Sequence, residues 1–195
     1  MFSRLRFLIE LTHSHRIARR YFVTNGFDGV LAMLGLLMGF RVSDSTSLQI
    51  MIGVCISTAF ALFMSGLTSA YISESAEKEQ ELRELESSMV TSLDESAHAE
   101  AARIMPWMIA LVNGLSPMLL AIVILSPLLL AQQHIWFAIS PVDAALGIAM
   151  LLSFILGAYL GRISGRLWLW TGIRALLIAL VTSVFIFLLN RFTAI

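Results

Sequence analysis

QIMIGVCISTAFALFMSGLTSAY, residues 49–71, carries no charged side chain in 23 positions. A helix of about 20 apolar residues crosses roughly 30 Å of hydrocarbon at 1.5 Å per residue. The stretch is too long for a strand and too apolar for a surface helix, so it reads as a membrane span. Its continuation is the opposite. ISESAEKEQELRELE, residues 72–86, holds six glutamates. The span must end near Tyr71, and the acidic run must lie in water.

The same reading gives four more spans, near 22–40, 107–130, 143–161 and 168–190. The composition agrees: 58% of the 195 residues are hydrophobic, 13% are charged and the mean hydropathy is +0.84. A soluble domain averages about 25% charged residues. The predicted fold is all-α, a polytopic membrane protein with five transmembrane helices and a short cytoplasmic helical hairpin. Residues 1–20 read as a basic amphipathic interfacial helix, with a basic tail as the alternative. Residues 21–71 hold spans one and two, 72–106 the acidic hairpin, and 107–195 spans three to five. The first twenty residues are not a cleavable signal, because Arg4, Arg6, Arg16, Arg19 and Arg20 interrupt any apolar core.

Orientation follows from the basic residues. With the N-terminus in the cytoplasm, ten Lys and Arg fall inside, and only Arg41 and Arg191 fall outside. The hairpin is then cytoplasmic and the C-terminus lies on the far side of the cell membrane. The single cysteine, Cys55, sits in an apolar block and reads as a small packing residue. Gly35-x-x-x-Gly39 and Gly157-x-x-x-Gly161 mark faces where helices can approach closely. Pro117 and Pro127 interrupt the third span, each leaving a carbonyl without its helical partner, so a kink or break is expected there. No hydrolase elbow, phosphate-binding loop or zinc-protease motif occurs, and no enzyme activity is expected. Nor is a nucleic-acid partner.

Two features point to cations. Asp28 lies about six residues, roughly 9 Å, into the first span. An ionised carboxylate at mid-bilayer costs about 2.5–3.5 kcal/mol, so it is a candidate for cation or proton handling. The bland alternative is that the span starts at Gly29 and Asp28 caps it. The second feature is the glutamate run. At 100° per residue Glu74, Glu77, Glu81 and Glu84 fall within about 80° of arc, beside an apolar stripe of Leu82, Leu85 and Met89. Pairing of Glu74 with Lys78 and of Glu79 with Arg83 accounts for two glutamates. Glu77, Glu81 and Glu84 remain as neighbouring like charges, which a divalent cation would offset through hard oxygen ligands. A solvated helix is the alternative. Ser92-x-x-Glu95 forms a capping box opening a return helix from Leu93, with Pro106 at the turn into the third span. It places Asp94, Glu95 and His98 together, as a further candidate metal set or an ordinary acid–histidine pair.

The order of these features resembles the vacuolar iron transporter family. The resemblance rests on RRYFVTNGFDGVLAMLGLLMGF in the first span, SGLTSAYISESAEKEQELRELE leaving the second, NGLSPMLLAIVILSPLLL in the third and LGAYLGRISGRLWLWTGIRALLIALVTSVFIFLLNRF in the last two. It implies a five-span homodimer that exports Fe2+ or Mn2+ in exchange for protons. It also implies a path near the dimer interface with Asp28 on it, and capture of the metal by Glu74-x-x-Glu77 and Glu81-x-x-Glu84. Gly66 and Ala70 stand where better-known members carry a methionine and a glutamate. The cytoplasmic segment is also shorter, as in a compact prokaryotic member. The expected partners are thus divalent metal, protons, the bilayer and a second copy; no resident cofactor is expected. The alternative is a non-transporting membrane protein whose hairpin binds metal or a partner, as a sensor or assembly element.

Overall fold

A computed structural model describes residues 14–43, 46–93, 95–135 and 139–193. Five helices account for nearly all of them: α1 (Ser14–Val42), α2 (Leu48–Met89), α3 (Ala97–Gln132), α4 (Pro141–Ile163) and α5 (Trp168–Thr193). Each is long and apolar enough to cross a membrane. Among the described residues there is no strand. Helices are what the solvent demands, since hydrocarbon offers no partner for a backbone N–H or C=O.

The helices run beyond the expected spans. Residues 14–20 continue into α1 without a break, so the part of the expected interfacial helix that lies within the described residues belongs to the first long helix; residues 1–13 lie outside them. The acidic run prolongs α2 by more than four turns past Tyr71. Glu86 closes its end. Its backbone carbonyl accepts the Thr91 N–H at 3.3 Å and its side chain accepts the Leu93 N–H at 2.9 Å. The backbone bond is the six-to-one closure of a Schellman turn, which puts Val90 in the left-handed region at φ 52°. A β-branched residue is strained there, so Val90→Gly is expected to stabilise the α2 end by about 1 kcal/mol. Amide exchange at residues 87–91 should slow about fivefold; unchanged exchange would mean the turn carries no strain.

The return helix starts at Ala97, four residues later than the sequence suggests. Ser96, not Ser92, is its cap, with its hydroxyl 3.2 Å from the Ala99 N–H. Pro106 does not divide it, and neither Pro117 nor Pro127 breaks it. The carbonyls these last two prolines release find side-chain donors. The Asn25 amide donates to Asn113 O at 2.6 Å, and the Ser126 hydroxyl to Val123 O at 2.7 Å. Local replacement of the missing bonds is what keeps a proline-bearing span helical.

The chain divides into two compact units. The first comprises residues 1–25 and 63–116, the second 26–62 and 117–195. The second unit holds the main apolar core, with Met33, Leu34, Leu37, Cys55, Ile124 and Leu128 fully buried. Gly29 lies against Pro117 so closely that a Cβ would stand 2.5 Å from the proline Cβ. Gly157 and Gly161 face Thr171 and Ala175 of α5, so this small-residue face is used within the chain. An Arg41–Asp143 ion pair of 2.7 Å ties the end of α1 to the start of α4. The outward faces of α2 and α5 expose Phe60, Leu177, Val181 and Phe185, as lipid-facing surfaces do.

Candidate functional site

The inner edge of α2 in the first unit repeats every fourth residue. Gly66, Ala70, Glu74 and Lys78 are all buried, while Glu77, Glu81 and Glu84 are exposed. The four glutamates expected on one face thus divide. Glu74 belongs to the packed seam and the other three face solvent.

Glu74 is only 1% exposed, and its Oε2 has no hydrogen-bond partner. The Tyr21 hydroxyl of α1 hydrogen-bonds the carboxylate, and the charges of Arg20, Glu77 and Lys78 act on it. It lies beyond the uncharged stretch 49–71. Burial pushes its carboxyl above the usual carboxylate range and the Glu77 charge adds to this, against the Tyr21 hydrogen bond and the Lys78 and Arg20 charges.

Lys78 does not pair with Glu74 as the four-residue spacing suggests. Its Nζ, on a residue 6% exposed, reaches Glu81 Oε2 at 2.6 Å. Glu79 pairs with Arg83 as expected. Glu84 accepts the Gln80 amide at 2.9 Å. Of the row, Glu77 has no hydrogen bond or ion pair among the described residues. Three of the six glutamates, Glu79, Glu81 and Glu84, therefore bond to side chains of their own helix, and Glu86 to the backbone of the turn.

Among the described residues no group of three or more His, Cys, Asp and Glu is arranged to hold a metal ion. One chain does not close a cage around Glu77, Glu81 and Glu84. Glu95 and His98 are both exposed, the first in the turn before α3 and the second on its first turn. Asp94 lies outside the described residues. Asp28 stands midway along α1, on an exposed face, without a hydrogen bond or ion pair among the described residues.

A second polar node was not anticipated. Asn113 of α3 donates its amide to the Gly66 carbonyl at 2.8 Å, and its backbone carbonyl accepts from Asn25. Asn113 is 5% exposed and its Oδ1 has no partner. The Ser116 hydroxyl adds a bond to Phe22 O at 2.5 Å. The glycine makes this possible: a Cβ on Gly66 would lie 2.5 Å from the Asn25 Nδ2. The position where the family resemblance leads one to expect a methionine thus holds the amide of another helix. Ala70, at the expected glutamate, is 2% exposed, and the carboxylate of this stripe comes one turn later as Glu74. The signal for the node was in the sequence: an asparagine four residues before a proline in an apolar span.

Comparison with known proteins adds a relative but no activity. An uncharacterized protein of Methanocaldococcus jannaschii is 26% identical over 175 residues, covering 88% of this chain and 88% of its own. No protein-family model matches the chain, and no solved structure matches it.

Proposed function

We propose that the protein is a divalent-metal transporter that moves Fe2+ or Mn2+ out of the cytosol by proton antiport and works as a homodimer. The observation that carries this reading is Asp28. It is a carboxylate midway along a helix long enough to cross a membrane, exposed on the single chain and without an ion pair among the described residues. Facing lipid it would cost about 2.5–3.5 kcal/mol near the bilayer centre. A second copy laid on that face would remove it from lipid and set two carboxylates opposite each other, an arrangement that suits a divalent cation or a pair of protons. The exposed Glu77, Glu81 and Glu84, on a basic-flanked extension, suit capture of the ion in the cytoplasm. The resemblance to the vacuolar iron transporters supports the same assignment. The positive-inside bias supports its orientation in the cell membrane.

The test is flux. Wild-type protein in liposomes with an imposed proton gradient is expected to move Mn2+ and Fe2+. Asp28→Asn is expected to fall to the level of empty liposomes while eluting as the same folded species. Undiminished flux in that variant would remove Asp28 from the path.

One observation favours a second reading. Gly66 and Ala70 are packed shut against neighbouring helices instead of presenting ligands. On that reading the acidic extension binds metal or a partner without transport. Wild-type protein that binds Mn2+ yet gives no flux would decide for it.

A further inference from the structure

Beyond Asp143 the chain carries charge of one sign only. Residues 144–195 hold four arginines and no aspartate or glutamate. Arg162 and Arg166 stand at the turn that joins α4 to α5, and Arg174 lies in the second turn of α5. Arg174 has a partner, since its guanidinium lies 5.2 Å from the centroid of the Trp170 ring. Arg162 and Arg166 are exposed, and neither side chain has a hydrogen bond or ion pair among the described residues. The turn does not need them. It is closed by backbone bonds, Ser164 N–H to Leu160 O and Arg166 N–H to Gly161 O, both 3.0 Å, with Gly165 left-handed at φ 67°.

Beside this turn α4 and α5 leave a cavity of about 640 Å3, within the second compact unit. Ile155, Ala158, Tyr159 and Arg162 line it from α4, and Trp168 from the start of α5. The four α4 residues are three and four apart, so they form one helix face that ends in the cation. Ile155, Tyr159 and Trp168 are exposed, so the cavity opens outward. The two helices are held together on another face, where Gly157 and Gly161 lie against Thr171 and Ala175.

Trp and Arg near the end of a span are ordinary interfacial anchors. Anchoring does not account for a cavity whose volume falls within the roughly 300–1,000 Å3 of small-ligand sites. Its wall is graded along α4, apolar at Ile155, amphipathic at Tyr159 and cationic at Arg162. A phospholipid is graded in the same order, from acyl chain to phosphate. The positive end of the α5 dipole adds to the attraction at Trp168. A choline headgroup also suits aromatic walls. Here Arg162 would repel it, and no acidic residue lines the cavity among the described residues.

We propose that the α4–α5 cavity binds an anionic phospholipid, its phosphate at Arg162 and its acyl chain along Ile155. The site does not depend on the transport reading.

Native mass spectrometry of the full chain in detergent counts bound lipids directly. Wild type is expected to bind one phosphatidylglycerol per chain, about fivefold more tightly than phosphatidylcholine. Arg162→Gln should lose that preference. Ala158→Phe fills the cavity and keeps the charge, so it should lose the lipid while eluting as the same folded species. Arg166→Gln removes an equal charge from outside the cavity and should bind within about twofold of wild type. Equal losses in Arg162→Gln and Arg166→Gln would assign the effect to the general charge of the turn and overturn the site. So would equal binding of the two lipids by wild type, or undiminished binding in folded Ala158→Phe. Excess inorganic phosphate should leave the lipid in place. Its displacement by phosphate would make this a site for the free anion and overturn the lipid assignment.

Discussion

Gly29→Leu is expected to abolish recovery of folded protein from the membrane, and Gly29→Ala to lower stability by about 1–3 kcal/mol. The reason is the approach of α1 to α3. An added Cβ would meet the Cβ of Pro117 at 2.5 Å and its Cα at 2.7 Å. Ordinary contact begins near 3.5 Å. The obstacle is a proline ring and backbone, with no rotamer to turn aside. Alanine is favoured over glycine in a helix by about 0.8–1 kcal/mol, and this opposes the clash without cancelling it. A control separates the two effects. Gly147 of α4 has nothing within 4 Å of its would-be Cβ. Gly147→Ala should therefore be neutral or mildly stabilising. Thermal melts followed by size-exclusion recovery compare all three variants. Equal melting of Gly29→Ala and Gly147→Ala would show that the helices do not meet at Gly29.

That contact also explains why Asp28 points where it does. Adjacent residues on a helix are 100° apart. With Gly29 turned into the core against Pro117, Asp28 is turned to the outer face. The glycine of Phe27-Asp28-Gly29 is thus a packing residue that sets the direction of its neighbour's carboxylate. A variant that loosens Gly29 would disturb Asp28 without touching it. Flux measurements on Gly29 variants therefore need the stability measurement beside them.

The five long helices were legible because each is written as a block of about twenty apolar residues, a signal that no local detail can mask. The glutamate run was legible only as an acidic helical extension. Helical arithmetic placed Glu74, Glu77, Glu81 and Glu84 on one arc, which is correct for a helix standing free in water. The arithmetic does not say where the packed edge of the seam falls, and that edge falls at Glu74. Four-residue spacing likewise suggested Glu74 for Lys78, whereas a three-residue neighbour, Glu81, took it. Both spacings bring side chains together on a helix, so spacing alone does not choose between the two partners. That Pro117 frees the Asn113 carbonyl was foreseeable, but the partner of that carbonyl on another helix, Asn25, was not. Long-range pairings of this kind depend on how helices register against one another, which a single sequence does not record.

The Asn25 pairing yields the second large effect. Asn25→Ala is expected to cost about 1–3 kcal/mol, the usual penalty for leaving a buried acceptor without its donor. The acceptor is the Asn113 carbonyl, which has no helical partner because Pro117 has no N–H. The cause can be isolated by repairing the carbonyl from the other side. Pro117→Ala restores an N–H one turn below Asn113, able to complete the ordinary helical bond, and retains the Cβ that Gly29 contacts. If the freed carbonyl is what Asn25 serves, Asn25→Ala should be much less harmful in the Pro117→Ala background. The double-mutant cycle should show a coupling of about 1–2 kcal/mol in the direction of rescue. Simple additivity would mean that Asn25 acts by filling the space over Gly66 and that the hydrogen bond contributes nothing. The amide would then be replaceable by leucine. With the bond as the cause, Asn25→Leu should be as harmful as alanine or worse, since the larger apolar chain fills the same space and still offers no donor.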